Sequence, residues 1–399
     1  MNRLALVLTA AATALVAPPT RADDATPSAP SPAATPTAVV GDVTPAVVHA
    51  TVNDGVAAPP TAAGNSGLSV TFKPGLEIIA QYTYRSMSDG AGGSQWFHLF
   101  DLPRAHASMQ IEHKAVDARA VLEAVRSASE GSLMGVSGDS LVLRVREAWG
   151  RARWPATATA DELVVEGKAG VVPTLTVPEL EGTWMTRAVG PTPLEATGFA
   201  SPADLGGTVK LTLPSRYGHV AVGAYNGEGY TNRELNRGKN LEFAGSIHPF
   251  AAVAAARPLA VFGSYVMGSS GTALARANRT TAALLWQGSR LRAGASYTYA
   301  QGVRDDGEQT GYVVDVFARV EPVGRLLLNA RASVWARDTR QADADADTVT
   351  TLTGAVGYRV AQPLEGFVAF DRSLPTTRAQ AALPGSDFWT LRVITRVVF

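Results

Sequence analysis

Three observations predict an all-β fold for this chain, a 16-stranded antiparallel transmembrane β-barrel with an inward-folding third outer loop. From Leu68 onward, segment after segment alternates apolar and polar residues, with turn chemistry between segments. The connections alternate between long and short. The last segment, Asp387 to Phe399, is a two-faced strand that stops on an aromatic residue.

That last segment shows the pattern most clearly. In steps of two from Phe399 come Val397, Thr395, Val393, Leu391 and Trp389. The alternate set is Val398, Arg396, Ile394, Arg392 and Thr390. Side chains of a strand point to opposite faces with period two. One face is apolar apart from a threonine, and the other carries two arginines. A membrane barrel turns the first to lipid and the second to a watery lumen.

The 399 residues contain 35 Lys plus Arg, 35 Asp plus Glu and no cysteine. With no net charge, no basic domain and no metal-knuckle spacing, the sequence offers nothing for nucleic acid. It also points to no cofactor and no metal. Beyond the N-terminus no apolar run reaches the roughly 18 residues of a membrane helix. Hydropathy near neutral is compatible with a barrel, where lumen and lipid residues alternate.

Residues 1–22 read as a secretory signal peptide, with Arg3 as the positive start, Leu4 to Ala17 as the apolar stretch and Thr20-Arg21-Ala22, or else Ala17, as the cleavage site. This implies export, with the bacterial outer membrane as the destination of a barrel. Residues 23–67 are rich in Ala, Pro and Thr and read as a disordered periplasmic tail. Residues 68–399 are the barrel.

Its predicted strands begin with Leu68–Arg85, Phe97–Lys114 and Val116–Arg126, the last of which is also good helix material. Ser140–Trp154, Glu162–Val172, Gly207–Leu213, Gly218–Asn226 and Asn240–His248 follow. Leu259–Met267, Ala277–Gln287, Arg290–Gln301, Thr310–Val320 and Gly324–Arg337 come next. Thr348–Ala361, Leu364–Arg372 and Asp387–Phe399 complete the set. If the N-terminus starts in the periplasm, the short connections, dense in Pro and Gly, are periplasmic and the long ones face outward.

The longest outer connection, Pro173 to Gly206, is the third; folded into a wide barrel it would set the size of the passage, the alternative being an exposed loop lying over the mouth. It carries Glu179, Glu181, Glu195 and Asp204 with one basic residue, Arg187. The expected lumen wall contains Arg104, Arg144, Arg146, Lys168, Lys210, Arg331 and Arg392. Inward carboxylates include Glu112, Asp117, Glu166, Glu242 and Asp315. Charges are costly on the lipid face, so they collect in the lumen whether or not they serve transport. Rings of fixed charge tune which ion enters; the arginine excess leans mildly toward anions, and the acidic third connection would offset it.

The stretches L-V-V-E-G-K-A-G-V-V-P (163–173), V-A-V-G-A-Y-N-G-E-G (220–229) and N-R-G-K-N…F-A-G-S-I-H-P (236–249) resemble the phosphate-selective porin O/P family of outer-membrane proteins. L-R-V-R-E-A-W (143–149) fits that family's strand entering a periplasmic turn. The resemblance implies a channel passing small anions or other small solutes, commonly a homotrimer. A terminal aromatic such as Phe399 resembles the signal read by the barrel-assembly machinery. The expected partners are thus outer-membrane lipid, that machinery, small anions or solutes and two further copies.

Two other classes compete. A barrel enzyme, lipase-like or proteolytic, needs a nucleophile and base. Yet His49, His98, His106, His113, His219 and His248 stand in no recognisable Ser-His-acid motif. A plugged structural or adhesive barrel is opposed by the wide strand count. The sequence therefore favours a channel over an enzyme.

Overall fold

The computed structural model describes residues 70–88, 93–127, 140–157, 159, 161–231, 238–271, 274–303, 306–340, 347–383 and 385–399. The expected signal peptide and the 23–67 tail lie outside these residues.

The first nine strands are β1 (Thr71–Ser88), β2 (Ser94–His113), β3 (Val116–Ser127), β4 (Ser140–Trp154), β5 (Val164–Pro173), β6 (Ala203–Leu213), β7 (Gly218–Tyr225), β8 (Asn240–Ile247) and β9 (Leu259–Met267). A two-residue hairpin, β10 (Ser269–Ser270) and β11 (Ala275–Arg276), sits in the next long connection. Then come β12 (Asn278–Gln287), β13 (Leu291–Val303), β14 (Asp306–Val320), β15 (Leu326–Ala336), β16 (Thr348–Ala361), β17 (Leu364–Pro375) and β18 (Phe388–Val398). Between β5 and β6 lie the helices α1 (Thr176–Trp184) and α2 (Pro193–Ala196), and between β17 and β18 lies α3 (Thr377–Ala382).

All strands but the hairpin form one closed antiparallel barrel in which sequence neighbours are spatial neighbours. The last strand closes the ring on the first, from Glu77↔Val398 to Met87↔Phe388. Phe399 continues the ladder: its N–H donates to Leu76 O at 2.9 Å, and Leu76 N–H donates to Phe399 O at 3.1 Å. Closure satisfies every edge, the condition for strands to stand in hydrocarbon.

The two faces separate as the alternation demands. Leu143, Val222, Phe243, Val261, Leu284, Val356, Val368 and Val393 are exposed on the outside. An apolar band this extensive around a closed ring calls for a lipid cover. Tyr84, Trp96 and Trp389 cluster at the ends of β1, β2 and β18 that carry the long connections, with Tyr84–Trp389 centroids 5.4 Å apart. Rings with one wet end belong at a membrane interface. Glu123, Glu242, Asp315, Arg331 and Asp371 are buried on the inside.

Several bounds differ from the sequence reading. Ser86 to Ser88 stay in the ladder, paired with Trp96, Gln95 and Ser94. Residues 306–309 likewise belong to β14 rather than to a connection. Backbone pairing does not need apolar side chains, so strands run past the apolar band. Asp204 belongs to β6, not to the third connection, because Ala203 to Gly206 already pair with β5. In β4 a bulge at Arg146 breaks the alternation, since Val121 faces Glu147 and Leu122 faces Val145.

Candidate functional site

The connection from β5 to β6 is a folded piece rather than a bare loop. Val177, Leu180 and Trp184 recur at helical spacing in α1 and are almost wholly buried. With Val189, Leu194 and Phe199 they pack on Phe262 of β9, Leu285 of β12, Val313 and Phe317 of β14, and Leu327 and Trp335 of β15. Trp184 meets Phe317 edge-on at 5.6 Å. A buried side chain of this size contributes about 1.5–3 kcal/mol, so the packing anchors the segment firmly.

The wall also complements the dipole of α1. At the start, Glu242 of β8 accepts from the N–H groups of Leu175 (2.8 Å) and Thr176 (2.9 Å) and from Thr176 Oγ1 (2.6 Å). At the end, Arg292 of β13 donates to Gly182 O (3.1 Å) and Arg319 of β14 to Met185 O (2.9 Å). A carboxylate at the N–H end and cations at the carbonyl end are the stabilising arrangement.

Further arginines continue the brace. Arg331 donates to Pro191 O at 2.9 Å, Arg392 to Val189 O at 2.7 Å and Arg279 to Phe199 O at 2.8 Å. Each of the first two is also clamped by a carboxylate in a bidentate fork. Arg331 meets Asp315 at 2.9 and 2.7 Å, and Arg392 meets Asp371 at 2.7 and 2.9 Å. The arginine excess expected to favour anions is therefore largely neutralised where it was read. Arg331 and Arg392 act first as fasteners of the segment.

The rest of the expected wall divides in two. Arg104, Arg144 and Arg146 converge on Glu123 of β3, at 3.3, 3.1 and 3.3 Å. Tyr230 joins them: its hydroxyl donates to Glu123 Oε2 at 3.0 Å, and Arg144 Nη2 lies 2.9 Å from it. Glu77 also lies 3.9 Å from Arg104, so three guanidinium groups stand against the two carboxylates Glu123 and Glu77. Lys168 and Lys210 stand apart on β5 and β6. Lys168 lies over the Trp149 ring at 4.8 Å, and Lys210 sits opposite Glu166 in the ladder.

The segment's own charges form a second knot. Arg187 donates to Glu181 at 2.9 Å and to both oxygens of Glu195. Arg146 approaches Glu181 to 3.9 Å, so the two knots touch. Glu179 faces His219 at 3.8 Å instead. Asp204 serves a different purpose: it accepts from Gly227 N (2.8 Å) and Gly229 N (3.3 Å). Those glycines have φ of +105° and +75°, which favour glycine, and the turn they make carries Tyr230 to Glu123. Tyr230 and Glu123 were not legible as site residues, because their meeting depends on that turn.

Burial pushes the Glu181 carboxyl up to about 8, repulsion from Glu195 adds to the rise, and Arg146 works against it. As pH rises through that range the segment gains negative charge, beside Arg187 at 2.9 Å. Anion preference is therefore expected to fall as pH is raised across about 8. Zero-current potentials on either side of that value check this, and Glu181→Gln is expected to abolish the step.

Between the segment and the wall of β1–β4 and β17–β18 lies a cavity of about 530 Å³. Five arginines line it, Arg85, Arg104, Arg144, Arg187 and Arg392, against the four carboxylates Asp101, Glu123, Glu195 and Asp371. A second cavity of about 610 Å³ lies beside Tyr225, Glu228 and Tyr230. Arg144, Glu195 and Ala196 line both cavities.

No family model matches the chain, and no curated protein matches it. Solved structures do. OmpF of Salmonella typhi, in complex with daunomycin, matches with a TM-score of 0.57 at 11% identity, over 82% of this chain and 97% of that one. The anion-selective porin from Comamonas acidovorans matches with 0.55 at 12% identity, over 83% and 100%. A loop-deletion mutant of OmpT, an outer membrane protein of Vibrio cholerae, matches with 0.53 at 12% identity, over 83% and 99%. The chain has the fold of the outer-membrane β-barrel porins.

Proposed function

We propose that this chain is an outer-membrane porin, a passive diffusion channel for small ions and solutes with a weak anion preference. The observation that carries the reading is the lane beside the segment, with five guanidinium groups set against four carboxylates. The segment 174–202 would cross the lumen and narrow it. Its support is its set of partners, which come from β4, β8, β9, β12 to β15 and β18. Packing it on β9–β15 leaves the passage on the opposite flank.

Transport then needs no cofactor and no catalytic step. Ions move down their gradient between the Glu123 hub and the Arg187 knot, where fixed charges of both signs face the lane. Kinship with the phosphate-selective porin O/P type would make Gly227 and Gly229, the turn glycines held by Asp204, part of the resembling stretch 220–229. Export by the signal peptide, recognition of Phe399 by the barrel-assembly machinery, seating in outer-membrane lipid and assembly into homotrimers belong to the same reading. The test is a planar bilayer: detergent-extracted, folded protein is expected to produce discrete conductance steps. Folded barrel without steps would overturn the channel in favour of a plugged or enzymatic barrel.

A further inference from the structure

Four of the five arginines that line the cavity of about 530 Å³ have their charge offset at close range. Arg104 and Arg144 stand 3.3 and 3.1 Å from Glu123, Arg392 stands 2.7 Å from Asp371, and Arg187 is paired with Glu195. Arg85 is different. Among the described residues it forms no ion pair, and its contacts are with neutral groups. Nε donates to Thr390 Oγ1 at 3.1 Å, and one face of the guanidinium lies over the Phe388 ring, 4.2 Å from the centroid. Phe388 is 2% exposed, so that ring is a fixed floor.

The Nη1–Nη2 edge of Arg85 is left over. Neither nitrogen has a partner among the described residues, and neither is closed over as Arg104 Nη1 is. Arg85 is partly exposed, and it lines the cavity. Of the four lining carboxylates, Glu123, Glu195 and Asp371 already serve other arginines. The fourth, Asp101, is level with Gln81, which lies about 13 Å along β1 from Arg85 at the usual rise of a strand. Arg85 itself is level with Phe97 and Thr390, close to the end of β1 that carries a long connection.

A guanidinium held by its Nε and one face, with its other edge open, is already set for an anion. An ion that docks there displaces no protein partner and gains a charge-assisted hydrogen bond. We infer that Arg85 is the anion-docking residue of the lane and carries its anion preference. Small anions entering from the side of the long connections meet the Nη1–Nη2 edge first. One such contact is weak enough to release them into the lane. The inference rests on the channel reading and deepens it by naming the residue that selects.

The test is the zero-current potential in a planar bilayer under a potassium chloride gradient. Arg85→Gln is expected to lower the ratio of chloride to potassium permeability about fivefold. Arg85→Lys keeps the charge and is expected to keep most of the wild-type ratio. A wild-type ratio in Arg85→Gln would overturn the inference. So would an equal loss in both variants, because the packing on Phe388 and not the charge would then matter. Phenylglyoxal treatment of the folded wild-type barrel, followed by peptide mapping, does not depend on either variant folding. Arg85 is expected to be modified before the other four lining arginines, with the anion preference falling in step. Modification of Arg85 without that fall overturns the inference and leaves the channel standing. A folded barrel that does not conduct overturns both.

Discussion

Arg331→Ala is expected to free the middle of the 174–202 segment and enlarge the passage. Arg331 is 4% exposed and Asp315 2% exposed. The guanidinium holds three things at once: the Asp315 carboxylate, Pro191 O and the face of Trp184, whose centroid lies 4.8 Å away. Removing it leaves a buried carboxylate unpaired, which costs about 3–5 kcal/mol. The loss falls on the segment, because the ladders of β14 and β15 run through backbone groups that the substitution leaves alone. Larger single-channel conductance is therefore expected, together with a lower temperature of heat modification in detergent. Arg331→Lys is expected to recover little of either, because an ammonium cannot make the two-pronged contact. Wild-type conductance in Arg331→Ala would mean that the segment does not narrow the lane.

The second large effect is expected from Glu123→Gln. Glu123 is 2% exposed and is the single carboxylate at which Arg104, Arg144 and Arg146 meet. Glutamine keeps the shape and can still accept from Tyr230, but it removes the negative charge. The three guanidinium groups would then lose their shared counter-charge, leaving Glu77 at 3.9 Å from Arg104 and Glu181 at 3.9 Å from Arg146. One unit charge at about 4 Å contributes about 1 kcal/mol even at the dielectric constant of water. That corresponds to about fivefold in the ratio of anion to cation permeability. The zero-current potential under a salt gradient is expected to move toward the chloride value. Repulsion among the three arginines is also expected to lower the stability of the barrel. A potential that does not move would place the selective neck elsewhere than at this hub.

The alternation along the chain made the barrel legible, and residues show where this worked and where it stopped. Ser140–Trp154, Leu259–Met267 and Thr348–Ala361 have the bounds that the sequence predicts, because turn residues or abrupt loss of period two flank them. Val116–Ser127, also good helix material, is a strand because β2 and β4 pair with it on both sides. Tertiary pairing overrode local propensity there. Positions such as Arg104, Arg144, Arg146, Arg331 and Arg392 were placed on the polar face by period alone.

What they do there was not legible. Asp315 and Arg331 sit on neighbouring strands, but Asp315 is level with Ser333 and Phe317 with Arg331, so their contact is diagonal and depends on register. The same holds for Arg392 and Asp371, since Arg392 is level with Ala369. Hydrogen bonds from wall arginines to carbonyls of a distant segment leave no trace in spacing. The helix α1 did leave one: proline early in T-V-P-E-L-E, an acid in the first turn and apolar residues at 177, 180 and 184 are helix signals. They were overshadowed by the length of the connection that contains them.

The most direct measurement of the central claim is the zero-current potential of the wild-type channel in a planar bilayer, under a potassium chloride gradient below the Glu181 transition. The lane carries one more guanidinium than carboxylate among its lining residues. A small potential of the sign for chloride preference is predicted. A potential of cation sign would contradict the account, because the Arg187 knot and not the Glu123 hub would then govern the neck.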